Sequence, residues 1–213
     1  MSELLQLSDF LKKRLLKDLP GKTSHFKMIP AVRLQEFDPI PENARKSSVL
    51  LLLFENANEI KTILIQRPEY NGVHSSQISF PGGSYVDKDM NLENTALRET
   101  EEEIGLDRSK INIIGSLTEL YIPPSNFKVK PYIGFCTEKF ELTPDKYEVQ
   151  NIIIASVKDF SGDKNIKSKN IRIKSGKEFE TRYYDIKGQT VWGATAMIIS
   201  EFAELYEEFI RIG

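Results

Sequence analysis

Only one of the 213 residues is a cysteine, Cys136, so no disulfide can close within the chain and a reducing, cytoplasmic setting is the expected compartment. Charge of one sign is scarce as well: 29 Lys and Arg stand against 31 Asp and Glu, a net charge of −2. Without a basic excess, nucleic acid is not an expected partner, and no single-sign run marks an interaction tail. Long apolar runs are missing too. The longest, Val49 to Phe54, falls far short of the roughly 20 residues a bilayer span requires, so no membrane partner is expected. The first residues lack a basic-then-apolar leader pattern, and the chain carries neither an internal repeat nor a low-complexity tract. What is present is 40% hydrophobic residues, enough for the core of a single sizeable domain with small additions.

The most informative stretch runs from Phe80 to Leu106 and reads FPGGSYVDKDMNLENTALRETEEEIGL. Pro81-Gly82-Gly83 marks a tight turn; Asp89, Asn91 or Asn94 can cap a helix; and Gly105 is placed to end it in the left-handed conformation. Glu99, Glu101, Glu102 and Glu103 crowd its last two turns. Such crowding is locally unfavourable, because like charges at i, i+4 cost about 0.2–0.5 kcal/mol a pair and acids near a helix C-terminus oppose the dipole by about 0.3–1 kcal/mol each. Something must offset it. At roughly 100° per residue, Glu99, Glu102 and Glu103 share one face beside the apolar stripe of Leu92, Ala96, Leu97, Thr100 and Ile104, with Arg98 adjacent. Converging carboxylates suit a hard divalent cation, Mg²⁺ or Mn²⁺, which takes oxygen ligands and keeps waters for substrate phosphates. The competing reading is a solvated acidic face on a surface helix.

The order Gly82-Gly83, an acidic loop, then Arg98-Glu99-x-x-Glu102-Glu103-x-Gly105-Leu106 resembles the Nudix box, a loop–helix–loop that binds metal and hydrolyses diphosphates linked to a second moiety. The RExxEExG tail is the specific part. The front half departs from the pattern: counting back from Arg98, the box has Glu where this chain has Met90, and fourteen residues rather than thirteen separate Gly83 from Arg98. Asp87 and Asp89 are the acids at hand to stand in. Upstream, Arg67 after a strand, a polar loop and the FPGG ending look like the additional signature of the coenzyme A diphosphatase group, with Gly72 where a basic residue is usual and Ser76 where Gly is usual. Tyr121 to Asn126 and Val191-Trp-Gly-Ala-Thr195 are similar to further segments of that group.

The resemblance implies an α/β fold: a Nudix-type α/β/α sandwich with a mixed β-sheet, the box helix on one side and the C-terminal helix on the other. It implies residues 47–213 as the Nudix hydrolase domain, with 1–46 an N-terminal helix and irregular segment packing on it. It further implies a small-molecule diphosphate substrate, with coenzyme A cleaved to 4′-phosphopantetheine and adenosine 3′,5′-bisphosphate. A Nudix enzyme acting on ADP-ribose, a dinucleotide or a nucleoside triphosphate is the alternative; a non-catalytic nucleotide-sensing module is another.

Within that frame Glu99 and Glu103, spaced i, i+4, are candidate direct metal ligands, and Glu102 a shared or outer ligand that orients water. Arg98 is expected to hold the carboxylates in place. Gly82 and Gly83 let the backbone approach metal or phosphate. Glu148, outside the box, is the candidate for the further acid that Nudix enzymes use as ligand or base; otherwise it is an exposed acid at a strand start. Glu102, Glu103 and Glu148 all stay open as the general base. Arg67 is a candidate phosphate contact, with a salt bridge to a box acid as its competing role. His74 is a candidate substrate contact or an ordinary loop histidine, and Ser125 either meets substrate or serves a turn stiffened by Pro123-Pro124.

Elsewhere, Leu4, Leu5, Leu7, Leu11, Leu15 and Leu16 recur at helical spacing up to Pro20-Gly21, as in an amphipathic helix that packs on the domain or contributes to a homodimer. Lys22 to Lys46 shows no clear periodicity and reads as an irregular or edge segment. Strands are expected at Val49–Phe54, Lys61–Gln66, Ile111–Thr118, Phe127–Cys136 and Glu148–Ala155, then a polar loop from Ser161 to Lys169. A hairpin turning at Ser175-Gly176 follows, with Phe179, Tyr183 and Tyr184 in the core or beside a base. A final apolar-faced helix closes the sequence.

Overall fold

The computed structural model describes residues 2–29, 40–69, 77–172, 176 and 178–212. The segment 30–39, the loop with Gly72, His74 and Ser76, and Ser175 of the expected hairpin turn lie outside the described residues.

The leucine repeat forms helix α1, Glu3–Arg14, whose Ser2 side chain accepts the Leu5 N–H at its start. Leu4, Leu7 and Leu11 are buried, while Leu16, past the helix end, stays exposed. A second short helix, α2 (Lys22–Phe26), occupies the segment read as irregular. Five residues carry too little periodicity to announce a helix. Side-chain contacts with the C-terminal helix hold it instead.

The Val49–Phe54 run lies inside β1 (Arg45–Asn56), which turns through Ala57 and Asn58, both at positive φ, into β2 (Glu59–Gln66). Two consecutive positive φ values are the backbone of the two-residue hairpin turn that matches strand twist. Next come β3 (Ile78–Ser79), β4 (Gly82–Ser84), α3 (Leu92–Ile104), β5 (Asn112–Ser116), β6 (Leu120–Ile122), β7 (Phe127–Cys136) and β8 (Asn151–Ser156). They build one sheet in the order β3-β2-β1-β7-β5, with β4 paired to β1, β6 to β7 and β8 to β2. The sheet is mixed, because β1 and β7 run parallel while its other pairs are antiparallel. A second, antiparallel sheet joins β9 (Ile166–Arg172), β10 (Glu178–Ile186) and β11 (Gln189–Val191). β9 thus begins inside the stretch expected to be loop, where Ile166 pairs with the core residue Tyr184. Helix α4, Gly193–Ile212, closes the chain.

Period-two alternation in β1 decides the layers. Leu50 and Leu52 face Ala96 and Ile104 of α3, whereas Leu51 and Leu53 face the core made with α1 and α4. The box helix and the C-terminal helix therefore cover opposite faces of the sheet. No helix among the described residues is long and apolar enough to cross a membrane.

A buried carboxylate ties the N-terminal segment to α4. Glu201, fully buried, accepts from His25 Nε2 at 2.9 Å, Thr118 Oγ1 at 2.6 Å and the Gly21 N–H at 3.3 Å. Burial pushes its pKa up, but the bonds from His25 and Thr118 outweigh that and leave it below the usual value. Nearby, Ser24 and Lys27 both bond Glu204, and Arg14 pairs with Glu208 at 2.5 Å. Glu201→Ala is expected to cost about 3–5 kcal/mol in chemical denaturation, because it strands donors on two separate segments, Gly21 and His25 at α2 and Thr118 beyond β5. A loss within experimental error would mean that the latch is incidental.

Candidate metal centre

The Pro81-Gly82-Gly83 turn is stitched to β1: Leu50 donates its N–H to the Pro81 carbonyl at 2.9 Å, and Ser47 Oγ donates to the Gly83 carbonyl at 2.8 Å. Gly82 has φ +151, and a Cβ there would strike the Ser48 carbonyl and Val49. A Cβ on Gly83 would overlap the Glu99 carboxylate. Both glycines are needed for the turn to lie flat between strand and acids.

Helix α3 starts at Asn91, whose side chain accepts the Asn94 N–H at 2.8 Å, and ends at Gly105 with φ +72. Its last carbonyls are taken by the chain between β7 and β8. Thr143 N–H bonds the Ile104 carbonyl at 2.9 Å and Asp145 N–H bonds the Glu103 carbonyl at 3.0 Å. Val149 N–H then closes a turn onto the Asp145 carbonyl at 2.8 Å, and Gln150 N–H meets the Gln66 carbonyl at 2.9 Å. This chain of bonds carries Glu148 to the box helix. It also delays the strand, which opens at Asn151 and leaves Glu148 in the preceding turn.

One carboxylate oxygen from each of Glu99, Glu103 and Glu148 lies within 4.8 Å of the others. Glu103 is buried, Glu99 partly buried and Glu148 exposed. Glu103 Oε2 accepts the Gly82 N–H at 2.8 Å, and its Oε1 lies 3.5 Å from Arg67 Nη2. Burial pushes its pKa up to about 8; Arg67 and the Gly82 N–H pull it down, and Glu99 and Glu148 add to the rise. Glu99 is also raised, by burial first, against the pull of Arg98. An all-oxygen donor set in which burial disfavours the charged forms of Glu99 and Glu103 fits a hard divalent cation, which would favour those charged forms.

Glu102 is placed differently. It sits i+4 from Arg98 and pairs with that guanidinium at 2.7 Å, half exposed, outside the group of three. Arg98 itself is buried and spreads over Asp89 (2.7 and 3.0 Å), Glu99 (2.8 Å) and the Ser84 carbonyl (3.1 Å). Asp89 also accepts from Thr95 Oγ1 at 2.9 Å and from the Val86 N–H at 3.2 Å. The bond from Arg98 is the largest influence in lowering its pKa to about 2, against burial. Asp89 therefore holds Arg98, and Met90 is the extra residue of the loop: it points out, 80% exposed, at φ +64. Counting forward from Gly83 reaches Asp89, whereas counting back from Arg98 reaches Met90.

Arg67 Nη2 donates to the Gly82 carbonyl at 2.9 Å, so its guanidinium borders the carboxylates. Ser125 lies in the turn between β6 and β7, where its hydroxyl donates to the Ile122 carbonyl at 3.4 Å. His74 lies outside the described residues. Tyr184 is core, while Phe179 and Tyr183 are partly buried.

A NUDIX domain model matches residues 44–173. Nudix hydrolase 15, mitochondrial, from Arabidopsis thaliana is 33% identical over 178 residues, covering 80% of this chain and 62% of its own length. Nudix hydrolase 22, chloroplastic, from the same plant is 32% identical over 189 residues, covering 85% and 62%. The chain thus spans less than two thirds of the length of these relatives. Among solved structures, RenU, a Nudix hydrolase from M. Smegmatis, aligns with a TM-score of 0.53 at 13% identity over 80% of this chain and 88% of that one, a likeness of fold. Because the family model takes in the central sheet, the glycine turn, the acidic helix and the loop that delivers Glu148, the chain belongs to the Nudix family.

Proposed function

We propose that this protein is a metal-dependent hydrolase of diphosphates linked to a nucleoside, with coenzyme A or an acyl-coenzyme A as the substrate. The observation that carries the reading is the convergence of Glu99, Glu103 and Glu148 beside Arg67 and the Gly82-Gly83 turn. Glu99, Glu103 and Glu148 would hold Mg²⁺ or Mn²⁺, which would supply neutralisation of the phosphate charge and acidification of a water at the site.

The side chains divide the remaining work. Arg67, at the rim, takes a phosphate oxygen of the substrate with its planar fork of donors. Asp89 fixes Arg98, and Arg98 fixes Glu99 and Glu102, so that the ligand face of the helix is oriented before substrate arrives. Glu102 is committed to Arg98 and Glu103 is buried, which leaves Glu148 as the exposed member of the group and the general base of choice. It accepts a proton from the attacking water as the new P–O bond forms. The bond from phosphorus to the bridging oxygen breaks, and that oxygen leaves on the second phosphate ester. For coenzyme A the products are 4′-phosphopantetheine and adenosine 3′,5′-bisphosphate.

The substrate choice rests on the segments around Arg67, Tyr121–Asn126 and Val191–Thr195. Gly72 and Ser76 favour a second reading, in which ADP-ribose, a dinucleotide or a nucleoside triphosphate is hydrolysed instead. Incubation with Mg²⁺ or Mn²⁺ and a panel of coenzyme A, its thioesters, ADP-ribose, NADH and nucleoside triphosphates separates the two. The expected result is the highest kcat/KM on a coenzyme A compound; a higher value on any other member overturns the substrate assignment. Absence of metal-dependent turnover across the panel supports a binding module.

A further inference from the structure

The loop that delivers Glu148 carries a side chain that the metal chemistry does not use. Tyr147, immediately before Glu148, is 91% exposed. Among the described residues one other aromatic is exposed, Phe26 at 43%, and it belongs to α2, which packs with α4 on the sheet face away from α3. The exposure of Tyr147 does not come from a loose backbone. Its own N–H bonds Asp145 Oδ1 at 2.7 Å, and the segment is pinned on both sides by the bonds from Thr143, Asp145, Val149 and Gln150.

A tyrosine ring has two side-chain torsions, so a fixed backbone leaves little for binding to freeze. Both faces of a ring this exposed are open to a flat partner. Every nucleobase has such a face, and stacking on an aromatic side chain contributes binding without demanding a particular base. The centre itself offers carboxylates, and a guanidinium bonded to the Gly82 carbonyl, as groups that engage metal and phosphate.

We propose that Tyr147 is the stacking platform for the nucleobase of the substrate, one residue from the acid that acts on its diphosphate. This rests on the hydrolase reading above and adds which side chain holds the nucleoside half. Tyr147 is a binding residue here, so its removal falls on KM and not on the chemical step.

The test is steady-state kinetics of Tyr147→Ala, Tyr147→Phe and Tyr147→Trp on the best substrate of the panel, with melting temperatures to show that each variant folds. Tyr147→Ala is expected to raise KM roughly 5- to 100-fold with kcat within about twofold of wild type, and the two aromatic variants to restore KM. With coenzyme A, inhibition by adenosine 3′,5′-bisphosphate weakens in Tyr147→Ala while inhibition by 4′-phosphopantetheine does not. If the wild type prefers another nucleotide, the same variants are measured on it with AMP as inhibitor, so failure of the coenzyme A assignment leaves this test intact. An unchanged KM in Tyr147→Ala, a fall in kcat without a rise in KM, or equal weakening of both product inhibitors overturns the proposal.

Discussion

Glu103→Gln is expected to lower metal-dependent turnover by roughly 10³-fold and, in the same protein without metal, to raise the melting temperature. The first effect follows from losing an anionic ligand at the centre of the three acids. The second follows from burial. Glu103 is 1% exposed, and desolvation lifts its pKa to about 8. A carboxyl whose folded pKa lies above its unfolded value keeps a proton that the unfolded chain has already released. Between the unfolded value near 4 and the folded value near 8, folding therefore loses about 1.4 kcal/mol per pH unit from this group. Glutamine removes that slope and can still accept the Gly82 N–H through its amide oxygen. Each kcal/mol recovered raises the melting temperature by about 2–4 °C in a chain of this size. Melting curves in EDTA at pH 5 and pH 8, beside initial rates with Mn²⁺, read both effects. A variant that is both active and less stable would place the metal elsewhere.

Asp89→Ala is expected to cost about 3–5 kcal/mol of stability and to reduce turnover, although Asp89 belongs to no ligand group. The substitution leaves the Arg98 guanidinium buried with its strongest partner gone, and it takes from the Thr95 hydroxyl the nearer of its two acceptors, leaving the Asn91 carbonyl at 3.2 Å. Arg98 then no longer holds Glu99 toward the glycine turn. Acid acts on the same pair more gently, since a protonated Asp89 keeps its acceptor oxygens. Its folded pKa of about 2 lies below the unfolded value near 4. The contribution, on the order of 2–3 kcal/mol, is therefore fully present above pH 4 and is lost as pH falls toward 2. Denaturant titrations of wild type and Asp89→Ala at pH 7 and pH 3 measure it. Equal stability of the two proteins at pH 7 would remove Asp89 from the account.

The two effects also mark where the sequence is legible. The end of α3 can be read directly from Gly105, while its start is bracketed by Asp89, Asn91 and Asn94, of which Asn91 makes the capping bond. The two-faced character of β1 follows from an uninterrupted apolar run, and β7 spans the residues its pattern predicts, Phe127–Cys136. Asp89 is ambiguous in sequence because the box can be counted from either end. The structure shows which residue is extra, because Asp89 holds Arg98 while Met90 points out at positive φ.

Glu102 and Glu148 illustrate a second kind of limit. Helical geometry places Glu99, Glu102 and Glu103 near one another, but Arg98, four residues before Glu102, draws that carboxylate to itself. The third position beside Glu99 and Glu103 is filled from 45 residues beyond Glu103, by a loop whose backbone caps the box helix. No periodicity encodes such a contact. Helix α2 has the same origin, since Ser24 and His25 are held by Glu204 and Glu201 of the distant α4.

The central claim is that Glu99, Glu103 and Glu148 hold one divalent cation between the box helix and the glycine turn. Diffraction from crystals grown with Mn²⁺, recorded where manganese scatters anomalously, tests it most directly. The account predicts an anomalous peak in contact with an oxygen of each of the three carboxylates and bordered by Arg67. A peak bound to Glu101 or Glu102 instead, or none at saturating Mn²⁺ with the three acids in place, would contradict it.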